Sequence, residues 1–341
     1  MTYATDPGTH VPADTTSTLT ETIGVLLMTY GSPETLDDVE GYMTNVYGGR
    51  VPEADLVTEF KRRYELIGGS PLVQVTKDQA AALEDELRHR HPDGPRFMVE
   101  VGMRFFRPFV ADGLATLAAR GVDRVVAVIM SPQYSPILMS GYHRAIETAL
   151  AAMERPLPVR IAGSWHQQTL FVQSIAQRVD EALGHIPADV RDGVQVLLTA
   201  HSMPLRVIEK EPDYIADLQQ TAEAVAARAG LPAERWGFCY QSAGHTPEPW
   251  LKPDFADVMP ELAAAGKGHV LIAPVQFLAD HLEILYDVEV GAREQAEEHG
   301  IVFHRTASLN TLPLFIEALA DVVEGEAATD GAVAHLIPTP A

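Results

Sequence analysis

Short apolar runs rich in valine and isoleucine recur along the chain, and longer amphipathic stretches separate them. The stretches include "TKDQAAALEDELRHR" at 76–90 and "LFVQSIAQRVDEALGHI" at 170–186, whose apolar residues have helical spacing. Strands that alternate with helices form crossover units and a parallel sheet covered on both faces. The pattern therefore predicts an α/β fold, with strands at 23–30, 97–104, 123–130, 158–163, 194–200, 235–240, 268–274 and 301–305.

Two strand-to-helix turns each occur twice, with similar sequences, along the chain. "LLTAHSMP" (197–204) aligns with "LLMTYGSP" (26–33), so that His201 falls on Tyr30. "HVLIAPVQFLAD" (269–280) likewise resembles "VVAVIMSPQYSP" (125–136). Duplication explains both echoes, although similar strand ends also arise independently. The echoes predict two similar doubly wound domains of four strands each, with the divisions 1–20 (disordered tail), 21–150 (first domain), 151–325 (second domain) and 326–341 (tail).

The carboxyl ends of the predicted strands carry most of the candidate chemistry. In open parallel sheets, ligands bind outside these ends. Two such edges that face each other form a cleft, to which each domain contributes one wall. We expect the cleft to be lined by Tyr30, Arg104, Gln133, Tyr134, His201, Gln241, Ser242 and Gln276.

Composition excludes several classes of function. The chain has 25 Lys and Arg against 47 Asp and Glu, a formal net charge of −22, which repels nucleic acid and anionic lipid but attracts cations. The lone Cys239 rules out an internal disulfide and a four-cysteine iron–sulfur cluster within one chain. No apolar run has the roughly 18 residues of a membrane-spanning helix, and the N-terminus lacks the features of a secretory signal. We therefore expect a cytoplasmic protein.

The common nucleotide and hydrolase motifs are missing from the sequence. No G-x-G-x-x-G follows the first strand, and no G-x-x-x-x-G-K-[ST] occurs, which argues against dinucleotide and P-loop sites. The G-x-S-x-G elbow of α/β-hydrolases and the H-E-x-x-H zinc motif are also absent. The candidate chemistry therefore rests on single side chains at the strand ends.

The stretch "FLADHLEILYDVE" (277–289) offers carboxylates next to the predicted cleft. If it is helical, Asp280, Glu283 and Asp287 lie on one stripe, at i, i+3 and i+7. A solvated acidic face is one interpretation, but the other residues are apolar nearly all round, which indicates burial. His201 is open to a similar choice between a hydrogen-bonded core residue and a functional one. Imidazole and carboxylate together can hold a metal such as Fe²⁺ or accept protons near neutral pH.

Five segments in order resemble the ferrochelatase family, most closely its Gram-positive and actinobacterial coproporphyrin III members. They are "LLMTYGSPETLDDVEGYM", "FKRRYELIGGSPLVQVT", "SPQYSPILMSGYHRA", "LLTAHSMP" and "FLADHLEILYD", between Ile23 and Val323. The resemblance implies two Rossmann-like domains, each a four-stranded parallel sheet flanked by helices, with the active site in the cleft between them. It also implies a lyase that forms nitrogen–metal bonds and inserts Fe²⁺ into coproporphyrin III to give coproheme in haem biosynthesis.

The same resemblance assigns residues and partners. It makes His201 and Glu283 catalytic, places the metal at His201, Glu283 and Asp287, and brings Tyr30 to the metal from the opposite side. Fe²⁺ and coproporphyrin III are then substrates, no cofactor is permanently bound, and the expected state is a monomer with transient contact to the next haem-pathway enzyme. The porphyrin contacts it implies are Tyr30, Arg50, Arg63, Tyr64, Ser70 and Tyr142.

The sequence departs from its relatives at several positions, and other functions stay open. Gram-positive members usually carry arginines where this chain has Tyr47 and Gly48, and Gly291 ends the acidic series one turn past Asp287, with Glu289 close by. "RVPEADLVTEFKRRYE" (50–65) is strongly charged, which predicts no lipid-dipping lip and a soluble porphyrin. The alternatives are a protoporphyrin IX ferrochelatase, a cobalt or nickel chelatase, and a non-catalytic haem or tetrapyrrole carrier.

Overall fold

The first of two sheets contains four parallel strands. The computed structural model describes residues 21–244 and 248–329. The strand order is β2-β1-β3-β4, so that β1 lies at the centre with strands on both sides. The four strands predicted in this part of the chain are confirmed, with the bounds β1 Thr22–Thr29, β2 Arg96–Met103, β3 Arg124–Ile129 and β4 Val159–Ile161.

The second sheet repeats the topology of the first. Its strand order is β6-β5-β7-β8, again all parallel, so that β5 holds the place that β1 has in the first sheet. The prediction of two four-stranded parallel sheets is confirmed, and the aligned segments at 26–33 and 197–204 begin in equivalent strands, β1 and β5. The bounds are β5 Gln195–His201, β6 Trp236–Gln241, β7 His269–Pro274 and β8 Val302–Arg305.

The border between the two halves lies later than predicted. β4 begins at Val159, beyond the boundary placed after residue 150, yet it pairs with β3 in the first sheet. The short strand carries only three residues, so its pairing partner could not be read from its own pattern. A division at 150 therefore removes one of the four strands from the first half.

Helices cover both faces of the first sheet. The predicted helix at 76–90 is confirmed and extends further towards the N-terminus, because the apolar spacing already starts at Val73 and continues to Leu87. Gly113 allows the fourth helix to lie close against β2, since a Cβ atom there would be 2.6 Å from the Val101 carbonyl oxygen. The helices are α1 Val39–Val46, α2 Ala54–Leu66, α3 Leu72–Arg90, α4 Val110–Ala119 and α5 Pro136–Ala151, with a 3₁₀ turn at Leu36–Asp38.

The second half has its own helices and one π-helix, Glu283–Ala292. The predicted helix at 170–186 is confirmed as α6. The predicted C-terminal tail starts two residues too early, because the last helix runs to Ala327; the predicted tail at 1–20 lies outside the described residues. The helices are α6 Thr169–His185, α7 Ala188–Arg191, α8 Leu205–Ile208, α9 Pro212–Arg228, α10 Phe255–Ala264, α11 Arg293–Glu298 and α12 Pro313–Ala327, with a 3₁₀ turn at Ala233–Arg235.

One apolar cluster joins the two halves. It contains Val25 and Val101 from the first sheet, Leu198 from the second, and Phe171 and Phe315 from α6 and α12. All five side chains are buried, and burial of apolar surface of this kind is the main favourable term in folding. The two sheets are therefore held in a fixed relation by a shared core, with the carboxyl ends of both free to form a site.

Candidate active site

Two side chains at equivalent strand ends mark the site. Tyr30 follows β1 directly, and His201 is the last residue of β5. Partial burial raises the pKa of Tyr30, and the Glu283 carboxylate of the second half raises it further against the opposing effect of Arg104. Since this influence requires proximity, the tyrosine of the first half and the carboxylate of the second face one common space.

Aromatic rings and a guanidinium form the wall that the first half contributes. The Tyr30 ring lies 5.2 Å from that of Phe105 and 6.3 Å, edge-on, from that of Tyr142. The Arg104 guanidinium lies over all three, at 5.9, 4.5 and 5.5 Å from the centroids of Tyr30, Phe105 and Tyr142. These four residues, Tyr30, Arg104, Phe105 and Tyr142, are called the tyrosine wall below.

Helix α5 holds the guanidinium of the tyrosine wall in place. Arg104 Nη1 donates a hydrogen bond to the Leu138 carbonyl oxygen at 3.1 Å. A Cβ atom at Gly141 would lie 2.1 Å from the guanidinium, so that only glycine leaves room for it there. Arg104 forms no ion pair with a carboxylate of the described residues. Most of its N–H groups are therefore available to a ligand that carries a carboxylate.

The imidazole of His201 is oriented by its own loop. Its Nδ1 atom contacts the Ser202 carbonyl oxygen, which can only accept, so Nδ1 carries the proton in this assignment and Nε2 has the lone pair. The backbone N–H of His201 donates to Gln276 Oε1 at 2.9 Å. The Phe277 ring stands edge-on at 6.3 Å from the imidazole. Nε2 is thus the atom that can accept a proton or bind a metal.

Glu283 is kept ionised by a second histidine. Burial would raise the pKa of this carboxyl, but an ion pair with His281 and the nearby His201 lower it to about 2. The pKa of His281 is raised correspondingly: burial opposes the charged form, but the Glu283 carboxylate and the Ala279 carbonyl favour it. The His281 Nδ1 atom lies 2.8 Å from that carbonyl oxygen. His281 and Glu283 therefore form one charged group, with His201 beside it and Tyr30 of the tyrosine wall within its influence.

Asp287 continues this group along the π-helix. The i→i+5 hydrogen bonds of such a helix widen each turn, so that residues i and i+4, here Glu283 and Asp287, lie on nearly the same side. Burial raises the pKa of Asp287, and so does the Glu283 carboxylate. Arg63 Nη1 lies 3.9 Å from Asp287 Oδ1 and opposes the shift. The predicted series therefore holds for Glu283 and Asp287.

Asp280 does not belong to the acidic stripe, contrary to the prediction. It precedes the helix, which begins only at Leu282, and it faces the loop after β8. Its carboxylate accepts from Ser308 Oγ at 2.7 Å and Asn310 Nδ2 at 2.9 Å, and Arg305 lies 3.6 Å away. The assumption of one continuous helix over 277–289 caused the error.

Helix α2 brings further predicted residues to the same group. The Arg63 guanidinium lies 4.9 Å from the ring centroid of Tyr286 on the π-helix, and its Nε donates to Glu59 at 2.9 Å. Tyr64 is buried, and both burial and the Glu283 carboxylate raise its pKa. Arg63 and Tyr64 therefore cross from the first half to the carboxylates of the second.

Comparison with known proteins identifies the fold and the family. A profile of the family described as Ferrochelatase matches residues 22–327. The chain belongs to the ferrochelatase family. A ferrochelatase from Herpetosiphon aurantiacus is 40% identical over 303 residues, which are 89% of this chain and 98% of that protein. A coproporphyrin III ferrochelatase from Geobacillus thermodenitrificans is 36% identical over 313 residues, 91% and 98% of the two chains.

Membership makes this chain an enzyme, a lyase that forms nitrogen–metal bonds. Solved structures of more distant proteins share the fold alone. SirB from Bacillus subtilis with Fe³⁺ has a TM-score of 0.56 at 12% identity and covers 90% of this chain and 96% of its own. CbiX, described as the terminal enzyme of sirohaem biosynthesis in denitrifying bacteria, has a TM-score of 0.51 at 13% identity, with 89% and 98% covered.

Two predicted porphyrin contacts of this ferrochelatase lie apart from the charged group. Arg50 is exposed and stacks 5.9 Å from the Tyr47 ring, and Ser70 accepts from the Leu72 N–H at 3.4 Å. Within the described residues, no hydrogen bond or ion pair links either to His201 or Glu283. Gly48 has φ of 66° at the end of α1, a left-handed conformation that favours glycine over residues with a side chain.

Two ion pairs of Glu289 show where the acidic series ends. Glu289 is bound by Arg305 Nε at 2.9 Å and by Arg293, so it is turned away from Glu283 and Asp287. Sequence proximity alone had left Glu289 as a candidate extension. In this ferrochelatase the described carboxylates of the group end at Asp287.

Sequence reasoning missed three residues of the site. Arg104 was placed at a strand end but not assigned to the porphyrin, and Tyr42 was not considered. Burial, Tyr64 and Glu283 raise the pKa of Tyr42, which puts its hydroxyl beside the same group. His281 stood two positions before Glu283, on the opposite face of the helix that was assumed. Because His281 precedes Leu282, where the helix begins, its imidazole can turn back towards the Glu283 carboxylate.

The surface around α2 carries exposed apolar side chains as well as charged ones. Val51 is 65% exposed and Leu66 55% exposed, and Tyr47 is also exposed. They flank the charged stretch of α2, so the surface here is mixed rather than strongly charged. No helix in the described part of the chain has both the length and the apolar character needed to cross a membrane.

Proposed function

We propose that this ferrochelatase inserts Fe²⁺ into coproporphyrin III in the space between Tyr30 and His201. The observation that carries the proposal is that the two halves contribute side chains of different chemistry to one space. The tyrosine wall of the first half supplies flat aromatic surface and a guanidinium without a carboxylate partner among the described residues. The second half supplies His201, Glu283 and Asp287 on the facing side. In this proposal a planar tetrapyrrole binds between them, with metal-binding groups on one face only.

The roles follow from the proton affinities of the groups. A free porphyrin must lose two N–H protons as its four pyrrole nitrogens bind the metal. His201 presents a lone pair on Nε2 and is the proposed acceptor of both protons in turn, with the first released to solvent before the second is taken up. Glu283, with a pKa of about 2, stays ionised and is a weak base, so it is the proposed contact for the incoming cation, with Asp287 next to it.

The two walls also account for access to the pyrrole nitrogens. A flat ring blocks metal entry, because its nitrogens and their protons lie in the plane. Binding in a closely fitted cleft can bend the ring at a cost of about 1–5 kcal/mol, drawn from contacts away from the reacting centre. We place Tyr30 on the face of the ring opposite His201, where it is the proposed support for this distortion.

The preference for coproporphyrin III rests on its four propionates. The chain carries a formal net charge of −22, so an anionic ring needs local cations. Arg63 and Arg104 provide them at the cleft, and Arg50, Ser70 and Tyr142 are further proposed donors. A charge-assisted hydrogen bond contributes about 1.5–3 kcal/mol. Two additional propionates therefore favour coproporphyrin over protoporphyrin by at least about tenfold.

Protoporphyrin IX is the second candidate substrate, and one observation favours it. Tyr47, Val51 and Leu66 are exposed beside the charged stretch of α2 and would suit a less polar ring or an apolar surface. The relatives with 40% and 36% identity from Herpetosiphon aurantiacus and Deinococcus radiodurans are named ferrochelatase without a stated porphyrin.

An anaerobic absorbance assay decides between the two. The purified full chain is mixed with Fe²⁺ and either coproporphyrin III or protoporphyrin IX, without detergent, and initial rates are measured over porphyrin concentration. We expect kcat/KM for coproporphyrin III to be at least about tenfold higher. Equal or reversed preference in matched conditions would exclude coproporphyrin III as the preferred substrate and leave the ferrochelatase activity in place.

A further inference from the structure

Glu211 is a buried carboxylate of the second half that lies outside the charged group of the site. It immediately precedes α9 and is 7% exposed. No lysine, arginine or histidine of the described residues forms an ion pair with it. A buried carboxylate is costly unless donors satisfy it, so its position requires an explanation.

The donors come from the other half of the molecule. The Ser135 hydroxyl donates to Glu211 Oε2, and the Ile137 N–H donates to Oε1. Ser135 also accepts from the Leu138 N–H at 3.1 Å. These groups form the N-terminus of α5, where backbone N–H groups lack helical partners and the helix dipole favours a negative charge. Glu211 therefore caps, from the second half, a helix of the first.

Helix α5 carries one residue of the tyrosine wall and holds a second in place. Tyr142 and Gly141 lie on it, and the Leu138 carbonyl accepts the hydrogen bond that fixes Arg104. A displacement of α5 would thus move the guanidinium that lies over Tyr30. Glu211 contacts none of the reacting atoms; it can act only through the position of this helix.

The same turn of chain is also linked to His201. Tyr214, three residues after Glu211 and 2% exposed, accepts a hydrogen bond from Gln276 Nε2. Gln276 Oε1 accepts from the His201 backbone N–H at 2.9 Å. Further along α9, Thr221 Oγ accepts from the buried Gln133 of the first half at 3.0 Å. The first turn of α9 is therefore bonded to both walls of the cleft.

We propose that Glu211 and Tyr214 act together as a brace that sets the separation of the tyrosine wall from His201, so that Glu211 is a positioning residue for metal insertion. The inference rests on the proposed roles of Tyr30 and His201. A cleft held at fixed width bends the ring, whereas a loosened cleft accepts it flat. Loss of the brace should therefore lower kcat without weakening porphyrin binding, because the strain is no longer imposed.

The test compares Glu211→Gln, Tyr214→Phe and the double variant with wild type. Glu209→Gln is the matched control, since Glu209 is exposed and lies two residues away. We expect each single variant to lower kcat at least tenfold with the porphyrin Kd within threefold of wild type or tighter. We expect the double variant to be no more than about threefold slower than the worse single one, because residues that act as one unit are not additive. Glu211→Asp should recover part of the loss.

Hydrogen exchange supplies a readout that does not depend on turnover. Glu211→Gln should speed exchange at the first turn of α5, and both single variants should speed it at the end of β5. Four results would each overturn the brace. They are a wild-type kcat in the single variants, a porphyrin Kd weakened in proportion to kcat, a double variant whose loss is the product of the two single losses, and unchanged hydrogen exchange. Failure of the proposed function has a different signature, namely wild-type turnover in a His201→Ala variant with the brace intact.

Discussion

His281 and Glu283 form an ion pair although they are only two residues apart. The helix begins between them, at Leu282, so the imidazole precedes the first turn and folds back on the carboxylate. The contact holds the pKa of Glu283 at about 2 despite burial, and raises that of His281. The carboxylate therefore stays charged in a partly enclosed site.

Removal of this imidazole should be visible in the pH profile. In His281→Gln the burial of Glu283 is no longer offset, so its pKa should rise above about 2. Activity that needs the carboxylate is lost as pH falls through that pKa, so the acid limb of kcat/KM should move to higher pH. The measurement is the rate over roughly pH 4–8, the range in which carboxyl and imidazole groups titrate. An acid limb at the wild-type position would contradict the ion pair's role.

His201→Ala should abolish metal insertion while porphyrin binding and folding persist. The imidazole lies at the carboxyl end of β5, beyond the central part of the sheet, and its Nε2 is the proposed proton acceptor. Turnover, porphyrin Kd and the thermal unfolding midpoint are measured together. The exposed His89→Ala serves as the control variant. An unfolded variant would instead make His201 a structural residue.

The carboxylates of the π-helix should differ in importance. Glu283→Gln keeps the shape and removes the charge, so kcat should fall by about 10²–10⁴. Asp287→Asn should cost less, because Asp287 lies four residues further along and shares Arg63. Glu297→Gln, exposed on α11, is the matched control. Small and equal effects of the two site variants would show that Glu283 and Asp287 belong to an ordinary polar surface.

A histidine pair far from the site should make stability depend on pH. The Nδ1 atom of His269 lies 3.2 Å from Nε2 of His304, and burial, His269 and Arg293 lower the pKa of His304. A histidine with a lowered pKa favours the fold when neutral, so the free energy of unfolding should decrease as pH falls below about 6.5, the unfolded value. Urea unfolding between about pH 8 and 5 measures this.

His304→Gln should flatten that dependence, since the unfolded state then no longer takes up this extra proton. His89→Gln, an exposed histidine, should leave the slope as in wild type. Equal slopes for wild type and His304→Gln would refute the assignment.

The fold was largely predictable because its signals are local. Strand periodicity, strand length and the spacing of Val73 to Leu87 in α3 do not depend on distant partners. The repeated turns at Tyr30 and His201 likewise indicated two sheets and one cleft, since parallel strands present their carboxyl ends on one side. Glu283 and Asp287 could be named from spacing and from the family motif.

Contacts between residues distant in sequence decided the rest of the fold and of the site. β4 has too few residues to specify its sheet, and only its pairing with β3 assigns it. The exclusion of Asp280 and the inclusion of His281 both depend on where the π-helix starts, which is set by the bonds of Asp280 to the loop after β8.

Sequence alone thus determined the α/β class, the doubled strand pattern and the polar residues at the strand tips. The tertiary structure decided which of these side chains meet. Ser135 and Glu211 are 76 positions apart, and Arg104 meets the Leu138 carbonyl across 34. Such contacts have no local signature, because a hydrogen bond depends on a few tenths of an ångström and on direction. Only the packed core brings the two halves to that precision.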